Sequence, residues 1–411
     1  MVLSTSAHSP EISHLRTLSR FDRIPHQLQF RLITQTFFSD SHFHMSEKTC
    51  RWGILSTAGI AMKNWHSIAL SGNGQLVAVA SRSADRAQEF IDTCQASVPV
   101  LHSVDALSSY DEIVAREDID ALYLPLPTGL RTEWALKAAR AGKHIMVEKP
   151  CGITTADVQT IVDACNASNV QFMDGVMFMH SARLPAIREV LDDGDSIGAV
   201  RRIVSHFCFC ADDEFYSSNI RCSSSLEPAG CLGDLGWYTI RFSQWVMKYE
   251  MPVEVRGRIL QGTRRGDSPD TVPMEFQGEL HYADGVSASF FNSFRTNNQQ
   301  LAMVCGARGD LQMNDFVLPF FDRELAFEVS SHEFELDACR FNMARHTRRV
   351  SVDEYANNAP DAQETNLFRN FANLVNSGER DAHWPEITLQ TQRILDAALK
   401  SARHGSEAVQ P

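Results

Sequence analysis

The sequence lacks three features that would assign it to other classes of protein. No run of about 18 apolar residues occurs, which excludes a membrane-spanning helix. Basic residues number 38 against 51 acidic ones, and the net charge of -13 argues against binding to nucleic acid or to an anionic membrane. The ten cysteines include no CxxC pair and no repeated spacing, so a disulfide framework and a structural zinc site are not expected. This cysteine usage predicts a reducing, cytoplasmic environment.

What is present suits a globular protein of more than one domain. The chain has 411 residues, of which 44% are hydrophobic and 22% charged. Residues 1–44 differ, because they are rich in Ser, His and Arg and contain only three acidic residues, Glu11, Asp22 and Asp40. We predict that this segment is a disordered extension, with Met45 as a plausible start of the folded protein. A mitochondrial presequence has a similar composition and remains the alternative.

From residue 45 onward, apolar strands alternate with helices. A strand over 51–55, a small-residue turn, a helix over about 60–70 and a strand over 75–81 form a βαβ unit. The alternation continues through strands predicted at Ala121–Leu124 and His144–Val147. Such alternation predicts a parallel sheet with helices on both faces, which is a Rossmann dinucleotide-binding domain. We place this domain at 45–172.

The turn after the first strand is the predicted phosphate-binding element. Ser56, Ala58 and Ala61 stand where the fingerprint G-x-G-x-x-G has glycines, and such small residues still let backbone N–H groups approach a pyrophosphate. The predicted cofactor residues here are Ser56, Thr57, Ala58 and Ile60. A tight turn that binds nothing is the alternative.

The end of the second strand indicates which cofactor is preferred. A dehydrogenase that prefers NAD usually has Asp or Glu at this place, whereas this chain has Ser81 and Arg82. A guanidinium beside small hydroxyls suits a 2′-phosphate, which predicts NADP, with NAD as a possible second cofactor. A surface arginine at a helix start is the alternative.

Two further motifs carry the predicted chemistry. Glu148-Lys149-Pro150 directly follows a parallel strand, which places Lys149 at the sheet edge where ligands bind. Small residues before an apolar helix place Asp234 and Tyr238 one turn apart on the same face. A solvated lysine, and a buried tyrosine beside a helix-capping aspartate, are the structural alternatives.

At these motifs the chain resembles the glucose-fructose oxidoreductase, inositol dehydrogenase and rhizopine-catabolism (Gfo/Idh/MocA) family. Within that family it is most similar to the plant-type and dihydrodiol or xylose dehydrogenase-like branch. The matching segments cover residues 52–61, 78–83, 123–127, 141–144, 148–150 and 233–238.

The resemblance implies a second domain and specific residue roles. The family has a C-terminal α+β domain built on a large, mostly antiparallel open sheet, which we place at 173–411, with the last helices packing back on the first domain. The free face of this sheet in the family implies a homodimer or higher homo-oligomer. Lys149, Tyr238 and Asp234 match the catalytic positions. Further cofactor-binding positions implied are Leu126, Pro127, Arg131, Glu148 and Lys149.

The predicted function is that of an NADP(H)-dependent oxidoreductase acting on the CH–OH group of a sugar, polyol or vicinal diol. Tyr238 is expected to transfer the proton and the Lys149 cation to lower the phenol pKa. Substrate candidates are Asp174, His180, Arg221 and Arg241. No metal is expected, because Cys208 and Cys210 share one strand face without a further ligand at suitable spacing. A catalytically silent sensor of dinucleotide or sugar, and an enzyme that never releases its nucleotide, remain alternatives.

Overall fold

The computed structural model describes residues 48–411, so the extension predicted over residues 1–44 lies outside the described residues. Two sheets organise the described part of the chain. Within it, no helix combines the length and the apolar composition needed to cross a membrane.

The first sheet has six strands in the order β3-β2-β1-β4-β5-β6, and all of its pairings are parallel. Its strands are β1 (Cys50–Leu55), β2 (Gly74–Ala80), β3 (Asp105–Leu107), β4 (Ala121–Leu124), β5 (His144–Val147) and β6 (Phe172–Asp174). The alternating helices are α1 (Gly59–Leu70), α2 (Ala84–Ser97), α3 (Tyr110–Ala115), α4 (Thr128–Arg140) and α5 (Thr155–Ala167). The predicted Rossmann fold is therefore confirmed.

Local sequence signals set the boundaries of these elements. The Ser83 hydroxyl accepts a hydrogen bond from the Arg86 N–H at the start of α2. Thr154 and Asp157 form a reciprocal capping box at the start of α5. Gly142 adopts a φ of 74° just after α4, a left-handed conformation that suits glycine at a helix end.

The second sheet has nine strands, and its path is β15-β14-β13-β12-β7-β10-β9-β8, with β11 paired to β7. The strands are β7 (Val200–Cys210), β8 (Glu254–Arg265), β9 (Ser268–His281), β10 (Ser287–Ser293), β11 (Arg295–Gln299), β12 (Ala302–Gly306), β13 (Asp310–Met313), β14 (Glu324–Asp337) and β15 (Arg340–Asp353). The β7–β10 pairing is parallel and the others are antiparallel. The expectation of a large, mostly antiparallel sheet is confirmed.

Within residues 48–411, six α-helices accompany the second sheet, and the last two return to the first domain. They are α6 (Arg183–Asp192), α7 (Asp213–Ser218), α8 (Gly230–Asp234), α9 (Gly236–Val246), α10 (Gln363–Ser377) and α11 (His383–Arg403). Phe368 and Phe371 of α10 each lie with ring centroids 5.2 Å from that of Trp52 in β1. The Asp396 carboxylate of α11 accepts bonds from the Thr155 N–H and hydroxyl, both at 2.7 Å. These contacts join the domains along the back of the first sheet.

Candidate active site

A cavity of about 1010 Å³ lies where the carboxyl ends of the first sheet's strands face the second domain. Its walls combine the turn after β1, the segments after β4 and β5, helix α9 and the start of α10. Ligand sites commonly measure about 300–1,000 Å³ and occur at this edge of open parallel sheets. The cavity is therefore large enough for a dinucleotide together with a small substrate.

The turn after β1 presents an open helix N-terminus to the cavity. Ser56, Ala58 and Ile60 line the wall, as predicted, and Ser56 has a φ of 119°. Space is open around Gly59, where α1 begins, and the first turn of α1 has no acidic side chain. Free N–H groups and the positive end of the helix dipole together suit a pyrophosphate. The residues present fit a dinucleotide here.

Thr57 and Ser81, which were also predicted to bind the cofactor, lie outside the cavity wall. Their hydroxyl oxygens are 3.5 Å apart, and Ser81 is buried with its N–H donating to the Leu107 carbonyl. The two residues therefore support the turn on the side away from the cavity. Their contact with the cofactor stays a prediction.

Arg82 lies at the carboxyl end of β2 and lines the cavity together with Tyr110. Tyr110 was not expected at this site from the sequence, and its ring packs edge-on against Trp134 with centroids 5.1 Å apart. Burial raises the pKa of Tyr110, while its hydrogen bond to Ser56 and the Arg82 cation lower it. Arg82 and Tyr110 thus lie together in one part of the cavity wall.

Replacing Arg82 with alanine should weaken NADP⁺ binding selectively. A charge-assisted hydrogen bond contributes about 1.5–3 kcal/mol, so the Kd for NADP⁺ should rise roughly 10- to 100-fold. Titration calorimetry measures this change, and NAD⁺ serves as the control because it lacks the 2′-phosphate. Equal losses for both cofactors would refute a role in 2′-phosphate recognition.

The segment after β4 is held by a loop of the second domain. The Glu227 carboxylate accepts bonds from the Thr128 N–H at 2.9 Å and the Thr128 hydroxyl at 2.6 Å. A Cβ at Gly129 would lie 2.5 Å from the Ser225 carbonyl oxygen, so this close approach requires glycine. Arg131 is buried and donates to the Thr128 hydroxyl oxygen. The loop thereby fixes one wall of the cavity.

The positions predicted from this segment for cofactor binding are Leu126, Pro127 and Arg131, and all three line the cavity. Glu148 and Lys149 do so as well. Glu148 is buried, and its carboxylate accepts a bond from the Tyr123 hydroxyl at 2.6 Å. The structure therefore brings the predicted residues that follow β4 and β5 together in the cavity wall.

Lys149, Asp234 and Arg221 form a chain of charges in the cavity. The Lys149 ammonium donates to the Asp234 backbone oxygen at 2.7 Å and to its carboxylate at 2.6 Å. Arg221 donates to the other carboxylate oxygen at 2.7 Å. Although burial raises the pKa of Asp234, these two cations hold it well below its usual range. Asp234 thus positions Lys149.

Tyr238 lies beside this group, but the contact differs from the predicted one. Lys149 Nζ is 4.8 Å from the centroid of the Tyr238 ring, and the phenol hydroxyl donates to Met177 Sδ at 3.7 Å. Burial, followed by the charges of Glu148 and Asp234, raises the pKa of Tyr238 well above its usual value. The expected lowering of this pKa by Lys149 is not confirmed, because the net shift is upward and the ammonium faces the ring and Asp234 rather than the phenol oxygen.

Three of the four substrate candidates do not line the cavity. The side chains of Asp174 and Arg241 are both 0% exposed and form an ion pair at 2.6 Å, to which the Trp237 indole N–H adds a bond at 3.1 Å. His180 is buried and stacks on Trp384, and burial lowers its pKa to about 3. The Asp174–Arg241 pair fastens α9 to β6 of the first sheet, and His180 packs against α11. The fourth candidate, Arg221, lines the cavity.

Replacing Asp174 with asparagine should destabilise the fold, because Arg241 would keep a buried charge without its counter-ion. Breaking such a pair costs about 3–5 kcal/mol. Urea unfolding measures the change in the free energy of unfolding. Glu133→Gln, which removes one carboxylate from an exposed pair with Lys137, should change it by under about 1 kcal/mol. Similar small losses for both variants would contradict a structural role for Asp174.

Comparison with known proteins adds an independent finding. Residues 50–176 match the family described as an oxidoreductase family with an NAD-binding Rossmann fold. Residues 185–312 match the GFO/IDH/MocA C-terminal domain.

Two curated relatives and one solved structure illustrate the similarity. D-xylose 1-dehydrogenase (NADP(+)) 2 of Haloferax volcanii is 26% identical over 86% of this chain and 98% of its own length. Trans-1,2-dihydrobenzene-1,2-diol dehydrogenase of Mus musculus is 28% identical over 66% of this chain and 76% of its own. A 3-ketoreductase from Actinomadura kijaniata, crystallised with NADP and TDP-benzene, superposes with a TM-score of 0.69 at 23% identity. That superposition covers 86% of this chain and 98% of the reductase, and it shows the shared fold.

Proposed function

Since the chain belongs to the Gfo/Idh/MocA oxidoreductase family, we propose that it is an NADP(H)-dependent oxidoreductase acting on the CH–OH group of a sugar, polyol or vicinal diol. One observation carries the proposal. Lys149, Asp234 and Tyr238 meet in the cavity that also contains the open N-terminus of α1 and Arg82. A dinucleotide site and an acid–base group thus share one cavity, as hydride transfer requires.

Residues of this chain contact each part of the cofactor, from the 2′-phosphate to the nicotinamide. Arg82 binds the 2′-phosphate, the N–H groups at the start of α1 bind the pyrophosphate, and Arg131 with Glu148 borders the nicotinamide. When bound, the nicotinamide ring supplies or accepts the hydride. The names of the xylose dehydrogenase and of the 3-ketoreductase complex, which both include NADP, support NADP as the cofactor.

Tyr238 carries the proton and Lys149 positions the reacting oxygen. An ammonium has three N–H donors, of which two bind Asp234, so the third is available to the substrate oxygen. In reduction the Tyr238 hydroxyl donates its proton to the carbonyl oxygen, and in oxidation the phenolate accepts the hydroxyl proton. Because the raised pKa keeps the phenol protonated near neutrality, the site is better prepared as an acid than as a base.

The walls of the second domain favour a substrate that has an apolar face beside its hydroxyls. Phe207, Phe209, Ile220 and Leu226 line the cavity, with Arg221 as the charged neighbour. Sugars, cyclic polyols and ring diols all offer such faces. Two relatives are named for xylose and for a dihydrobenzene diol, and these names support the same range of substrates.

A substrate panel tests the proposed function. Purified protein is assayed with NADP⁺ and aldoses, inositols or vicinal diols, and with NADPH and the corresponding ketones, by the absorbance of the reduced cofactor. Turnover that depends on NADP(H) is expected with at least one class. Tight NADP⁺ binding without turnover on any class would contradict an enzyme and would favour the dinucleotide sensor.

The outer face of the second sheet supports a homo-oligomer. His206 and Phe291 are neighbours across the β7–β10 pairing, and Val204 and Met303 pair beside them on the same face. These four side chains are partly buried. They lie on the face of the sheet opposite to Phe207, which belongs to the cavity wall. We expect a homodimer through this face, which light scattering can measure.

The cysteines, which form no disulfide in the described chain, suit the reducing cytoplasm.

A further inference from the structure

Glu364 is a buried carboxylate of the cavity wall, and only one of its two oxygens is paired. It lies in the first turn of α10 and is 3% exposed. Its Oε1 atom pairs at 2.5 Å with Nζ of Lys63 in α1, and both residues line the cavity. Its Oε2 atom is buried and has no hydrogen-bond partner within residues 48–411.

A buried carboxylate oxygen without a donor is unfavourable, and most such oxygens in native proteins have a protein, water or ligand partner. In the structure the Lys63 ammonium is placed against Oε1, and no donor among residues 48–411 binds Oε2. A ligand that brings an N–H or O–H donor into the cavity would complete the site.

The position of Glu364 along the cavity indicates which part of a ligand it meets. Lys63 lies one turn beyond Gly59, where α1 begins at the predicted pyrophosphate site. The negative charge of Glu364 also contributes to the raised pKa of Tyr238. Glu364 therefore lies on the catalytic side of the pyrophosphate, away from Arg82 at the proposed 2′-phosphate end.

We propose that Glu364 Oε2 accepts a hydrogen bond from the nicotinamide nucleoside of the cofactor, with Lys63 holding the carboxylate in position. This inference rests on the proposed NADP(H) dependence. The nucleoside offers two kinds of donor, the carboxamide N–H groups and the ribose hydroxyls. Glu364 is thus a cofactor-positioning residue contributed by the second domain.

The variant Glu364→Gln tests this contact because it keeps the shape of the side chain. Lys63 can only donate, so the amide oxygen turns toward Lys63 and the NH₂ group takes the place of Oε2. A donor then meets the donor of the cofactor, and the Kd for NADP⁺ should rise by about tenfold. The Kd for 2′,5′-ADP, which lacks the nicotinamide half, should stay within about twofold of the wild-type value.

The 3-acetylpyridine analogue of NADP⁺ separates the two donors. It has a carbonyl but no carboxamide N–H, so a carboxamide contact predicts that Glu364→Gln binds this analogue at least as well as the wild type does. A ribose contact predicts the same loss for the analogue as for NADP⁺. Either result supports the proposal and identifies the donor.

Glu354→Gln is the matched control. Glu354 is 1% exposed and also has a buried oxygen without a partner in the described chain, but it lies outside the cavity wall. Its replacement should leave the Kd values for NADP⁺ and 2′,5′-ADP unchanged. Thermal melting without ligand shows whether each variant is folded. Glu364→Asp, which withdraws the oxygen by one methylene, gives a second test with a smaller loss of the same selectivity.

Unchanged NADP⁺ affinity in both Glu364 variants would overturn the proposal, and so would equal losses for NADP⁺ and 2′,5′-ADP. A wild-type protein that binds no NADP⁺ would instead contradict the proposed function, so the two failures are distinguishable.

Discussion

Replacing Tyr238 with phenylalanine should lower kcat by roughly 10²- to 10⁴-fold, the range for loss of a positioned acid–base group. The substitution removes only the hydroxyl, whose recorded partner is Met177 Sδ, so the ring contacts with Lys149 and Phe207 remain. The affinity for NADP⁺ should therefore stay nearly unchanged. Steady-state kinetics under conditions in which chemistry limits the rate measure the effect.

The direction of the pH dependence follows from the raised pKa of Tyr238. Oxidation requires the phenolate, so its rate should rise with pH across the neutral and mildly alkaline range without reaching a plateau. Reduction requires the protonated phenol and should change little over the same range. Retention of more than about a third of kcat by Tyr238→Phe would mean that Lys149 or Asp234 carries the proton.

Replacing Lys149 with methionine should lower kcat by roughly 10²- to 10³-fold, as expected for loss of one preorganised donor to the reacting oxygen. The side chain is 9% exposed, and methionine fills a similar apolar volume. Because the hydroxyl of Tyr238 does not bind Lys149 in this structure, the variant should keep the phenol's proton-transfer role but lose the alignment of the substrate.

The Lys149→Arg variant serves as the control for fold and charge. It keeps a cation beside Asp234, so thermal stability should be preserved, whereas the planar guanidinium directs its donors elsewhere and activity should still fall. The double variant Lys149→Met/Tyr238→Phe should be little worse than the worse single variant, because both side chains act on the same substrate oxygen in one transition state and their effects are therefore non-additive. Fully additive losses would show that the two residues act independently.

The first sheet was largely predictable from the sequence. The predicted strands Ala121–Leu124 and His144–Val147 have the same bounds in the structure, because strands buried on both faces appear as short continuous apolar runs. The second sheet was predicted less completely. No strand was expected over 324–353, where β14 and β15 pair, since much of this hairpin is exposed and polar.

The region around Asp234 shows a limit of helical periodicity. The sequence predicted one helix that carries Asp234 and Tyr238 on one face, whereas the structure has α8 ending at Asp234 and α9 beginning at Gly236. Both side chains nevertheless reach the cavity. Short helices that meet at one residue keep a local pattern of small and apolar residues, so the break is not visible in the sequence.

The sequence by itself determined the family, the order of strands and helices in the first domain, and the placement of Lys149 at the end of β5, because these depend on local patterns of burial and turn formation. Only the tertiary structure decided which charges are paired. Lys149 meets Asp234 across 85 positions of the chain and Arg241 meets Asp174 across 67. Composition does not distinguish a buried ion pair from a substrate contact, since both use the same residues. The distinction arises from the packing of α9 and α10 against the first sheet, which buries Asp174 and Arg241 and leaves Lys149, Tyr238 and Glu364 in the cavity wall.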